Sequence, residues 1–152
     1  TGSTFSANSK LKVKFFSKFV NFPVISDDSG LCIKALNNKP GVYSARLAKK
    51  KGSFLKAMMF ILNKLKKKKN RTAFFICNLS YQDKKGKIVS VEGKIKGKIS
   101  NRIIGKKGFG YDPIFIPNKY SKTFGQMAKT KKIKMDHRFE AFKKLKKKIR
   151  IL

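Results

Sequence analysis

Two long stretches rich in β-formers, Thr72 to Tyr81 (TAFFICNLSY) and Lys87 to Ser100, flank Asp83-Lys84-Lys85-Gly86, a run with hairpin turn chemistry. An antiparallel ribbon is expected there, and the rest of the chain must be arranged around it. Before it, Phe5, Leu11, Phe15, Phe16 and Phe19 recur near helical spacing, which predicts a helix from Thr4 to about Phe19 with Thr4 as its cap. Leu55, Met58, Met59, Leu62 and Leu65 predict a second helix from Ser53 to about Leu65. After the ribbon, Pro113 to Ile116 reads as a short strand. Phe139, Phe142, Leu145 and Ile149 mark a last helix with lysines on its outer face. Helices and strands interleave without a repeat, so the expected class is α/β or α+β, a mixed central sheet flanked by helices, in one domain over residues 1–152.

The 152 residues, 41% of them hydrophobic with fourteen Phe, are enough to close one core. No apolar run is long enough to span a bilayer and no secretory signal opens the chain, so a soluble, cytoplasmic protein with no membrane partner is expected. Cys32 and Cys77 lie far apart without metal-ligand spacing and are expected to be free, buried thiols.

The formal charge of +32 points by itself toward a nucleic-acid partner. Of the 39 basic residues, however, 34 are Lys and 5 Arg, whereas base reading and bidentate phosphate recognition favour the guanidinium. Runs such as Lys66 to Lys69 and Lys143 to Lys148 read as solvated helix faces. No specific nucleic acid is expected, although a basic nucleic-acid-binding module remains the alternative from another class.

Seven acidic residues are few enough that their placement carries information. Val24-Ile25 reads as a short strand running into the polar turn Ser26-Asp27-Asp28-Ser29-Gly30, and Asn37 to Gly41 reads as a second turn. The adjacent Asp27 and Asp28 could hold a hard divalent cation such as Mg²⁺ and accept a proton from water, or could simply cap their turn. In Gly105-Lys106-Lys107-Gly108-Phe109-Gly110-Tyr111-Asp112-Pro113 the glycines permit close approach of a planar ligand, the rings can stack on it, and Asp112 can accept from its N–H edge; a plain glycine-rich loop is the other reading. Asp136-His137-Arg138 contains the one His, with Asp136 as an N-cap and Lys132 nearby, and is either a polar pocket or a surface helix start.

In order, spacing and wording these clusters resemble the inosine/xanthosine triphosphate pyrophosphatase family. The stretches that carry the likeness are TGSTF (Thr1 to Phe5), DDSGLCIKALNNKPGVYSAR (Asp27 to Arg46), GFGYDPIF (Gly108 to Phe115) and DHR (Asp136 to Arg138), spanning nearly the whole chain. The resemblance implies an elongated two-lobed domain with its active site in the cleft between lobes. It also implies hydrolysis of ITP, dITP and XTP to the monophosphate and pyrophosphate, Mg²⁺ as cofactor, and a homodimer. Asp28 then matches the carboxylate that binds metal and activates water, with Asp27 beside it and Ser29 touching substrate. Lys12 matches a phosphate contact, Phe109, Gly110, Tyr111 and Asp112 the base-binding loop, Lys132 a second substrate contact, and His137 with Arg138 the readers of the purine 6-oxo group.

The chain departs from the family pattern in places. Family members begin with a strand, an Asn/Lys phosphate loop and a metal-binding Glu, none of which precedes Thr1 here, so weak nucleotide binding and slow hydrolysis are expected; a nucleotide-binding relative with impaired catalysis is the further alternative. Ala7 and Gln126 stand where Glu is common. Asp136 replaces a Ser, which should keep the cap while adding negative charge near the ligand.

Overall fold

A computed structural model describes residues 2–149. Its elements in chain order are α1 (Phe5–Phe16), β1 (Val24–Ile33), β2 (Lys39–Pro40), α2 (Ser44–Lys51), α3 (Phe54–Leu65), β3 (Thr72–Gln82), β4 (Ile88–Ile99), β5 (Phe115–Pro117), α4 (Lys129–Lys132) and α5 (His137–Ile149). Five strands form one sheet in the order β2-β1-β3-β4-β5. The β1–β2 and β4–β5 pairs are antiparallel, with Cys32 opposite Pro40 and Lys98 opposite Ile116.

The central ribbon follows from its turn. The Asp83 carboxylate accepts from the backbone N–H groups of Lys85 and Lys87, at 2.9 and 2.8 Å, and Gly86 takes the left-handed φ of 84°. Helix starts are fixed in the same local way: Thr4 accepts from Ala7 N at 3.1 Å and Ser53 from Lys56 N at 3.1 Å.

The chain divides into two compact units: one comprises the chain up to Ser29, Ile76–Lys94 and the chain from Asp136 on; the other comprises Gly30–Phe75 and Ile95–Met135. The second unit holds an apolar core in which Phe75, Phe115 and Phe124 cluster with Leu31, Ile61 and Ile114. Ring centroids of Phe75 and Phe115 lie 4.6 Å apart and those of Phe115 and Phe124 5.4 Å apart. The first unit buries a smaller apolar set, Phe5, Val13, Cys77, Val91, Ala141 and Leu145, together with Asn8, Ser9, Asn78 and Ser80.

Four local expectations are corrected. Ser26 to Gly30 is no turn, because β1 runs unbroken from Val24 to Ile33 and places these polar residues inside a strand. Helix α1 buries Phe5, Asn8, Ser9 and Val13, and it is Leu11, Phe15, Phe16 and the following Phe19 that face outward. In α5 the buried positions are His137, Ala141 and Leu145, four residues apart, while Phe142 is exposed. Of Pro113 to Ile116, the first residues form a 3₁₀ turn, and only Phe115–Pro117 is strand. Cys32 and Cys77 are buried, as expected. Among the described residues no helix is long and apolar enough to cross a membrane.

Candidate active site

In the first unit, strand geometry separates the two adjacent aspartates, since neighbouring side chains point to opposite faces of a sheet. Asp28 turns toward α1. Its Oδ1 accepts from Lys12 Nζ at 2.8 Å and its Oδ2 from Asn8 Nδ2 at 3.0 Å. Lys12 also donates to the Asp27 carbonyl oxygen at 2.7 Å. Asn8 and Lys12 are one helical turn apart, so a single face of α1 supplies both donors. The Asp28 side chain is only 15% exposed, and burying a carboxylate this far requires such partners.

Asp27 belongs to the other face. Its Oδ2 accepts from Ser29 Oγ at 2.9 Å and from Arg138 Nη2 at 3.3 Å. Arg138 Nη1 lies 3.3 Å from His137 Nε2. The Asp136 carboxylate caps α5 by accepting from Phe139 N at 2.9 Å, as expected of an N-cap. His137 is buried at the first position of α5, contrary to the reading of a surface helix start. Its position depends on Gly93 of β4: a Cβ there would come within 2.1 Å of the His137 carbonyl oxygen and 2.2 Å of the Ala141 nitrogen. Beneath this group, burial pushes the Cys77 thiol up to about 11, with a hydrogen bond to Ser29 opposing the shift.

In the second unit, the Gly108 to Asp112 loop is held from within. The buried Asp112 carboxylate accepts from Phe109 N at 2.7 Å and from Lys132 Nζ at 2.6 Å. Gly108, at φ 80°, has no room for a side chain, because a Cβ would lie 2.1 Å from Asp112 Oδ2. Tyr111 is a core residue: its hydroxyl donates to the Ser44 carbonyl at 2.8 Å, and burial pushes its phenol up to about 12. Asp112 and Tyr111 therefore brace the loop, and of its two rings only Phe109, 71% exposed, offers a face to a ligand. Phe54 supports both rings edge-on, at 5.1 Å from Phe109 and 5.3 Å from Tyr111. Gln126 accepts from Thr123 N at 3.0 Å and closes a local turn.

Each cation expected to touch substrate is thus paired with a carboxylate from the same set: Lys12 with Asp28, Lys132 with Asp112 and Arg138 with Asp27. The Lys132–Asp112 pair is the most buried, and removing one member of such a pair costs several kcal/mol, about 3–5. Among the described residues no group of three or more His, Cys, Asp or Glu side chains converges. Asp28 nevertheless suits a small hard cation, which needs only one or two protein carboxylates when water and phosphate oxygens complete its shell. Sequence reasoning missed Asn8 and Gly93, because an Asn within a helix and a strand Gly carry no pattern of their own.

The model of the Ham1 family matches residues 1–148. The chain is 46% identical to the dITP/XTP pyrophosphatase of Borreliella burgdorferi (strain ATCC 35210 / DSM 4680 / CIP 102532 / B31), over 97% of this chain and 77% of that one. It is 40% identical to the dITP/XTP pyrophosphatase of Dictyoglomus thermophilum, over 96% and 72% respectively. Its fold superposes on the Staphylococcus aureus Ham1 protein with a TM-score of 0.92 at 39% identity, covering 99% of this chain and 78% of that one. A HAM1 protein from Coxiella burnetii gives a TM-score of 0.92 at 32% identity, covering 100% and 79%. Family model, relatives and solved structures agree, and the chain belongs to the Ham1 family.

Proposed function

We propose that this chain hydrolyses deaminated purine nucleoside triphosphates, ITP, dITP and XTP, to the monophosphate and pyrophosphate. The observation that carries the proposal is Asp28, a mostly buried carboxylate held on both oxygens by α1, in a chain 46% identical to a dITP/XTP pyrophosphatase.

Water must attack the α-phosphorus in line with departing pyrophosphate, so the protein's task is positioning and charge neutralisation. Oδ1 of Asp28 becomes available once Lys12 moves from that oxygen to a phosphate, and Asp28 then orients the attacking water. A divalent metal, which we assign as Mg²⁺, would be held by Asp28 and would neutralise charge developing on the phosphates. Asp27 keeps Arg138 in place, and Ser29 beside it touches substrate. Phe109 stacks on the base, with Gly110 allowing close approach. Lys132, Tyr111 and Asp112 serve the substrate through the loop they hold. His137 and Arg138 read the 6-oxo group: donors aimed at an oxo oxygen are left unpaired when an amino group takes its place. The working form is proposed to be a homodimer.

Pyrophosphate release from ITP, dITP and ATP with Mg²⁺ tests the reading. ITP and dITP should turn over faster than ATP, and Asp28→Asn should lower the rate by about 100-fold or more. Equal rates on ITP and ATP would remove the base assignment. Full activity in Asp28→Asn would remove the catalytic one.

A further inference from the structure

We propose that Asn8 is a selectivity-determining residue for the cation at Asp28, because it occupies one carboxylate oxygen and leaves a single oxygen to offer. The proposal rests on Asp28 being the metal-binding carboxylate.

The orientation of the Asn8 amide is fixed by chemistry. The Gly2 backbone N–H can only donate, and it lies 2.7 Å from Asn8 Oδ1. That places Asn8 Nδ2 against Asp28 Oδ2, at 3.0 Å, as the donor. Asn8 is buried, so this amide has no water to turn to, and releasing Oδ2 would strand it.

The helix that presents Asn8 is itself anchored at the next residue. Ser9 Oγ, fully buried, donates to Asn78 Oδ1 of β3 at 2.6 Å and shares a hydrogen bond with Ser80 Oγ at 2.7 Å. Ser90 Oγ of β4 donates to the same Asn78 oxygen at 2.7 Å. On β1, Ser26 Oγ donates to the Ser9 carbonyl at 2.6 Å, two residues from Asp28 and on the same face of the strand. Helix α1 is therefore pinned through Ser9 to β1 and β3, one residue from Asn8, which opposes any rotation that would free Oδ2.

The two oxygens of Asp28 differ accordingly. Oδ1 is held by the long, half-exposed Lys12, which a competing cation or phosphate can displace. Oδ2 is held by a short, buried amide. A carboxylate restricted to one oxygen suits Mg²⁺, which requires near-octahedral geometry at short distances, and disfavours Ca²⁺, which accepts bidentate carboxylates and more ligands.

The test is binding, with no nucleotide present. Mn²⁺ is titrated by electron paramagnetic resonance and competed with Mg²⁺ and with Ca²⁺, for the unaltered chain, Asn8→Ala, the isosteric Asn8→Leu, and Asp28→Asn. We expect the unaltered chain to favour Mg²⁺, and either Asn8 variant to raise the ratio of Ca²⁺ to Mg²⁺ affinity about fivefold or more. A ratio within about twofold of the unaltered chain overturns the role of Asn8 and leaves Asp28 as ligand. Tighter binding of Ca²⁺ than Mg²⁺ by the unaltered chain overturns it without recourse to a variant. If Asp28→Asn binds Mn²⁺ as the unaltered chain does, the metal assignment of Asp28 fails and takes the proposal with it.

Discussion

The two units solve the problem of an interior in opposite ways. Around Phe75, Phe115 and Phe124 the second unit is apolar and aromatic, whereas beneath α1 the first unit relies on Ser9, Asn78, Ser80 and Ser90 hydrogen-bonded to one another. Its large apolar side chains Phe15, Phe16, Phe19 and Phe22 lie more than half exposed. Apolar burial is strong but non-directional, so it stabilises without fixing any one group to a fraction of an ångström. Hydrogen bonds contribute less net energy but are directional, and it is the hydrogen-bonded unit that aims Asp28.

The contrast is broken most sharply at Phe124. Truncation of this fully buried ring in Phe124→Ala should cost about 3–5 kcal/mol in urea unfolding, through lost burial and the cavity left behind. A loss below about 1 kcal/mol would mean that the aromatic cluster is not the main store of stability.

Alkaline pH probes both interiors at once. Cys77 in the first unit rises from an ordinary value of 9.0 to about 11, and Tyr111 in the second from 10.0 to about 12, both chiefly through burial. Above the ordinary values the unfolded chain gives up these protons while the folded chain keeps them. Stability is therefore whole below pH 9 and falls as pH rises, toward 11 for Cys77 and toward 12 for Tyr111. Each group accounts for about 2–3 kcal/mol at the far side of its window. Cys77→Ala should flatten the earlier part of the decline and Tyr111→Phe the later part, read as melting temperature against pH.

Ser9→Ala should have the smallest effect on stability, about 1–2 kcal/mol, because Asn78 retains Ser90 as a donor. Its effect on pyrophosphate release should exceed what that loss predicts, since α1 carries Asn8 and Lys12. An activity change no larger than the stability change would erase the distinction drawn between the two interiors.

What could be read from sequence was mostly local. Asp83 and Gly86 announced the hairpin, and Thr4, Ser53 and Asp136 announced helix starts, because each acts within four residues of itself. The roles proposed for Asp27, Asp28, Phe109 and Arg138 came from wording shared with a known family rather than from local pattern. Sequence failed where distant contacts overrode local preference. Ser26 to Gly30 has turn composition, yet lies within a strand bordered by β3 in the sheet. The Phe spacing of α1 implied its buried side, but that side is the one that meets Asn78 and Asp28, and it is polar. Tyr111 and Asp112 stood in a glycine loop and suggested ligand contacts; burial turned both into its scaffold.

Gly93 touches no part of a nucleotide in the proposed mechanism, yet the backbone that carries His137 and Arg138 rests against its missing side chain. Any amino-acid substitution there adds atoms where a helix already sits, so the position should tolerate replacement no better than an active-site aspartate. A mutational scan scored only by pyrophosphate release would mark it as indispensable, and chemistry alone would give no reason why.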